Sequence, residues 1–201
     1  VALKGSDGDN IVAEALARGA QCKSNDRTRL ALEVLVPLTE RLNIITCPGM
    51  MGQQLVAELG FNYRVLHLDT HLDMSNPQLT ATTAADTKQA AQQLLEQRVD
   101  IILFAGGDGT ARDICSVVSD NIPVLGIPAG VKIHSAVYAV TPKAAGEVIA
   151  QLVRGELIDV KAHDVRDIDE DAFRNNIVRA KLYGEMRVPQ AGQFVQSVKQ
   201  G

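Results

Sequence analysis

Asp100-Ile101-Ile102-Leu103-Phe104-Ala105-Gly106-Gly107-Asp108-Gly109-Thr110-Ala111-Arg112-Asp113 is the stretch whose reading decides the fold. Residues 101–105 are a short, continuous apolar run ending in glycine, the pattern of a strand buried on both faces. Three glycines in four positions follow, and from Thr110 to about Val118 the chain reads as helix. A strand, a glycine turn and a helix N-terminus together make an anion site. Glycine lets a ligand approach the backbone, and the first-turn N–H groups have no partner inside the helix. Asp108 is the unexpected member, because a carboxylate repels phosphate. Its presence points to a second task, either taking a proton from an attacking hydroxyl or holding Mg2+. The plain alternative is a tight turn whose aspartate tolerates positive φ.

Working outward, strand and helix signals alternate. Residues 43–46 read as a short strand, 51–59 as a helix closed by Gly60, and 63–68 as the next strand. Thr83-Ala84-Ala85-Asp86 resembles a capping box with Asp in place of Glu, opening a helix that runs through Leu95. Residues 123–127 form a further strand ending in Pro128-Ala129-Gly130, and 142–154 a helix stopped by Gly155. Upstream, Asp9 or Asn10 could cap a helix ending at Gly19, and 28–42 carries helical spacing that Pro37 should kink or break. This alternation predicts an α/β fold with a parallel, doubly wound sheet over residues 1–155. After Gly155 the residues 157–165 and 176–188 alternate apolar with polar and predict antiparallel strands. Two or three strands do not make an independent unit, so 156–201 is expected to be part of a larger β-domain.

Composition narrows the partners. Lys plus Arg is 20 against 24 Asp plus Glu, a net charge of −4, and no basic run favours nucleic acid. No apolar run reaches 18 residues, so no membrane span is expected. Cys22, Cys47 and Cys115 are odd in number and without metal spacing, as in a reducing cytoplasm. With no Trp and few aromatics, the core must be aliphatic and stacking platforms for bases are not expected.

Two further constellations carry chemistry. His67-Leu68-Asp69-Thr70-His71-Leu72-Asp73 alternates possible metal ligands, but a strand ending near Leu68 makes it a solvated loop rather than a metal site. Gly126-Ile127-Pro128-Ala129-Gly130-Val131-Lys132-Ile133-His134-Ser135 is a second glycine loop after a buried strand. Ligands of open parallel sheets gather where such loops meet, at the carboxyl ends of the strands. Ala129, Gly130 and Lys132 are therefore candidate substrate contacts, Lys132 as a point charge facing phosphate. His134 is expected to line the site or be satisfied in the core rather than act in catalysis. The acidic run 167–171 reads as a solvated turn between strands.

The Gly106 to Thr110 segment matches the Gly-Gly-Asp-Gly-Thr signature of the superfamily of NAD, diacylglycerol and sphingosine kinases, and phosphofructokinases carry a similar motif. Together with residues 1–8, 47–52, 83–87, 128–137 and 167–170, taken in order, the chain resembles that superfamily along nearly its whole length. It is most similar to the branch called ATP–NAD kinase-like or acetoin catabolism protein X-like. The resemblance implies a Rossmann-like N-terminal domain, an upstream strand, and the start of a C-terminal β-sandwich, with the active site between the two domains. It implies ATP and Mg2+, with Gly106, Gly107, Gly109 and Thr110 binding phosphate, Arg112 or Lys132 neutralising charge, and Asp108 as base or Mg2+ partner. The expected activity is phosphorylation of a hydroxyl on a small molecule, NAD first, by a homo-oligomer. Pro128-Ala129-Gly130 replaces the usual Asn-Thr-Gly, and neither the Asn-Glu dipeptide of NAD kinases nor the lipid kinases' Gly-Thr-Gly-Asn-Asp loop occurs. These departures leave two alternatives, a non-catalytic nucleotide sensor and a lipid or polyol kinase.

Overall fold

Element boundaries follow local chemistry in the computed structural model, which describes residues 23–68, 82–130, 133–156, 159–168 and 179–196. The helix expected over 28–42 ends early: α1 is Ser24–Glu33, and a separate 3-10 helix, Val36–Arg41, has Pro37 in its first positions. Pro37 lacks the N–H that would continue the α-helix, and its ring crowds the carbonyl four residues back. The short strands β1 (Ile44–Thr46) and β2 (Tyr63–Val65) pair in parallel, with Ile44 opposite Tyr63. Between them lie a 3-10 turn, Gly49–Met51, and α2 (Gln53–Glu58). β2 is shorter than the expected 63–68. After Leu66 N–H donates to the Thr46 carbonyl at 2.8 Å, the β1 ladder runs out, although Leu66 and Leu68 stay buried.

The next units form as their punctuation predicts. Thr83 caps α3 (Ala84–Glu96) in a capping box: its hydroxyl accepts from Asp86 N–H, and the Asp86 carboxylate accepts from Thr83 N–H at 2.8 Å. β3 (Ile102–Gly106), α4 (Asp108–Val118) and β4 (Val124–Pro128) form one strand–helix–strand unit, and β3 and β4 pair in parallel from Ile102–Val124 to Gly106–Pro128. Thr141 caps α5 (Pro142–Arg154), and Gly155 ends it in the left-handed conformation. β5 (Val160–Ile168) and β6 (Ala180–Pro189) then pair antiparallel, with a register shift at Val165/Arg166. The helix expected before Gly19 and the loop expected at 69–73 lie outside the described residues.

Among the described residues the parallel strands form two pairs, β1–β2 and β3–β4. β1 and β3 both border a cleft of about 2030 Å3, which residues of α1, α3 and α5 also line. Among the described residues no strand lies between them. One hydrophobic cluster unites the rest: Leu125 and Ile127 of β4, Ile114 and Val118 of α4, Val148 of α5, and Val165, Met186 and Val188 of the hairpin. The hairpin is thus packed into the same core as the β3–α4–β4 unit. No described helix is long and apolar enough to cross a membrane.

The capping box is open to a direct test. Thr83→Ala removes a side-chain acceptor from the first turn of α3 and should cost about 1 kcal/mol, read as a lower urea midpoint with an unchanged slope.

Candidate functional site

The two glycine loops meet at the carboxyl ends of β3 and β4, backbone against backbone. The Gly106 carbonyl accepts from both Ala129 N–H and Gly130 N–H at 3.0 Å. A Cβ on Gly130 would stand 2.5 Å from the Gly107 Cα, so any larger residue there forces the loops apart. Beneath them Tyr138, fully buried, donates its hydroxyl to the Gly107 carbonyl at 2.5 Å. Its ring lies where a Cβ on Gly126 would fall, 2.3 Å away, and meets Phe104 edge-on. Burial, and then the nearby Asp108 and Asp167 carboxylates, push the Tyr138 phenol well above its ordinary pKa, so it stays a hydrogen-bond donor.

Gly107 occupies the N-cap position of α4 and brings no side chain to cap it. The first-turn N–H groups of Asp108, Gly109 and Thr110 therefore remain the donors that an anion would use. Thr110 folds its hydroxyl back beside Gly106, where a Cβ would come within 2.3 Å of Oγ1. Gly109 is the open position, with its nearest neighbours, Arg112 Nη2 and Asp167 Oδ2, 4.0 Å from an added Cβ.

Asp108 does not cap its own helix. Its carboxylate, 5% exposed, turns to the second loop. Oδ1 accepts from Ser135 N–H at 3.0 Å, and Oδ2 accepts from His134 N–H at 2.7 Å. The His134 Nδ1 lies 3.1 Å from that same Oδ2. A loop whose backbone N–H groups have no strand or helix to join thus finds its acceptor in one side chain. Two backbone N–H groups and the His134 ring thus engage the two oxygens of Asp108. Among the described residues no three His, Cys, Asp or Glu side chains converge on one point. The described residues thus build no all-protein Mg2+ cage.

The hairpin pins the second loop from the other side. The Ser135 hydroxyl donates to the Arg166 carbonyl at 2.7 Å and accepts from Arg166 N–H at 2.9 Å, while Ala136 N–H donates to the Asp164 carbonyl at 3.0 Å. Arg112, one turn into α4, is committed to Asp167 at 2.8 Å and stacks on the Tyr183 ring 5.6 Å away. Burial alone would lower the Arg112 pKa, but Asp167 and then Asp113 outweigh it and the net shift is upward.

These contacts correct one expectation. Asp167 is not in a solvated turn: it lies within β5, its side chain is 15% exposed, and it is ion-paired. It shares a strand face with the fully buried Val165, two residues away, and that period was the available signal. Gly106, Gly107, Asp108, Gly109, Thr110, Ala129, Gly130 and His134 are brought together, and Arg112 borders them. Lys132 lies outside the described residues. His67 follows β2, its carbonyl accepting from Gln93 at 2.6 Å, and Asp69, His71 and Asp73 are not among the described residues. The Tyr138 contact was not foreseen, although a tyrosine in an aliphatic core must find a partner for its hydroxyl.

Ser135→Ala tests how firmly the loop is held. The hydroxyl is buried, and its loss leaves the Arg166 N–H and carbonyl without their partner. The variant should be destabilised by about 1–3 kcal/mol, measured by urea unfolding against wild type.

The geometry thus places an uncapped helix N-terminus, a glycine turn and an acid–imidazole pair at one end of a parallel strand pair. No curated protein and no solved structure matches the chain. The family model of the ATP-NAD kinase N-terminal domain matches residues 11–157, more than half of it. The chain belongs to the ATP-NAD kinase family through this domain.

Proposed function

We propose that this protein transfers a phosphoryl group from ATP to a hydroxyl of a small molecule, and that the acceptor is NAD. The observation that carries the reading is the start of α4: an N-terminus without a side-chain cap, with Asp108 as its first residue and His134 held on that carboxylate. Donors aimed at developing negative charge are what phosphoryl transfer needs, because the protein does little covalent chemistry in such reactions. In this reading the amides from Gly106 to Thr110 and the Thr110 hydroxyl hold phosphate oxygens. The Asp108–His134 pair serves the attacking hydroxyl, and Ala129 and Gly130 border the acceptor. Arg112, already paired with Asp167, orders the site from its edge, so Lys132 is the cation proposed to meet transferred charge. Mg2+ arrives with the nucleotide, held by its phosphates, which is how this ion is commonly bound in kinases. A division at Gly155, with the hairpin as the start of a β-domain completing the acceptor pocket, belongs to the same proposal.

A second reading, a nucleotide sensor of the acetoin catabolism-related branch without transfer, draws on the missing Asn-Glu dipeptide. Incubating the full-length protein with Mg-ATP and NAD, NADH, polyols or lipids, and scoring ADP release and phosphorylated product, separates the two. NADP formation supports the kinase. Tight ATP binding with no product from any acceptor supports the sensor, and product from a lipid or polyol moves the acceptor assignment.

Gly109→Val tests the phosphate site itself. The position has room for a side chain, so the fold should hold, with an unchanged far-UV spectrum. The added side chain enters the space beside Arg112 and Asp167 next to the turn, and ATP affinity should fall by about tenfold or more, the equivalent of ~1.4 kcal/mol. Titration calorimetry showing wild-type affinity would remove the helix N-terminus from the site.

A further inference from the structure

We propose that the group taking the proton from the acceptor hydroxyl is the His134 imidazole, with Asp108 as the residue that positions it. This rests on the kinase reading and changes which atom does the work. Asp108 is nearly inaccessible, its side chain 6% exposed, and its two oxygens already meet the N–H groups of His134 and Ser135 and the His134 ring. Burial leaves an incoming hydroxyl little access to that carboxylate. The imidazole has the opposite character: its side chain is 36% exposed. An ionised carboxylate only accepts, so the ring nitrogen facing it, Nδ1, carries the hydrogen, and Nε2 keeps its lone pair for an incoming proton.

The arrangement is held on every side. His134 N–H and Nδ1 share one carboxylate oxygen, so backbone and ring are oriented together. Ser135, next in the chain, is clamped to Arg166 of β5. Because Asp108 opens α4, the ring sits within one side chain's reach of the first-turn donors. Nucleophile activation beside preorganised anion donors, with the base oriented by a third group, is the arrangement that general-base catalysis requires.

The step balances simply. The acceptor oxygen bonds to the γ-phosphorus as the bond from that phosphorus to the β,γ-bridging oxygen breaks. ADP leaves with that electron pair, and the hydroxyl proton goes to Nε2. Asp108 stabilises the imidazolium until water takes the proton.

The test uses the full chain with Mg-ATP and the acceptor found active. His134→Asn retains an N–H able to reach Asp108 but has no basic nitrogen. Its kcat should fall by ~10²–10⁴ while KM for ATP stays within about threefold. His134→Ala should regain part of its turnover when imidazole is added, an effect that a merely structural role would not produce. Asp108→Asn should also lower kcat and should gain nothing from imidazole, because its ring is still present. Turnover of His134→Asn near wild type would overturn the proposal. So would joint loss of turnover and ATP binding in His134→Ala without any imidazole response. If wild type binds ATP yet phosphorylates no acceptor, the kinase reading fails and this inference falls with it, an outcome told apart by the wild-type control.

Discussion

The Asp108 carboxylate is buried at the first turn of α4, and its solvation comes from the chain itself: the N–H groups of His134 and Ser135 and the His134 ring. A charge taken out of water must be hydrogen-bonded by donors that stay in place. That demand ties two loops into one body, because the residue closing the first glycine turn also organises the loop after β4. The same contact turns the carboxylate away from the helix end, leaving the first-turn donors uncapped.

The remaining contacts hold this junction in register. Gly106 anchors Ala129 and Gly130 through one carbonyl, and Tyr138 holds Gly107 from below. The hairpin closes the far side through Ser135–Arg166 and Arg112–Asp167. A β-bulge helps here. The register passes from Val165–Gly184 to Arg166–Leu182, leaving Tyr183 as the extra residue, and its ring lies against Arg112. An extra residue in one strand re-aims a side chain that strict alternation would send elsewhere.

The chemistry follows from what each group can still do once packed. Arg112 is ion-paired and Asp108 is buried and held by the second loop, so neither is free to move with a substrate. The groups with unused capacity are the first-turn N–H donors and the exposed side of the His134 ring. In the proposed reaction phosphate takes the former, which present dipoles rather than a mobile charge, and the hydroxyl proton the latter.

Local chemistry determined much of this architecture before any contact formed. The apolar run 101–105, the Thr83–Asp86 capping box, the Thr141–Pro142 helix start and the Gly155 stop each depend on residues within a few positions, and each element formed where its pattern lay. The Gly-Gly-Asp-Gly-Thr stretch likewise marked the candidate site, since a strand, a tight turn and a helix start are a local signature. What tertiary structure alone decided was pairing across the chain. That β1 pairs with β2 and β3 with β4 depends on which strand edges meet. That Asp108 serves the loop at 134–135, and that Asp167 meets Arg112 from 55 residues away, depends on which groups share a water-poor junction. Buried charges and hydroxyls choose partners by proximity in space, and that information is absent from any short window of sequence.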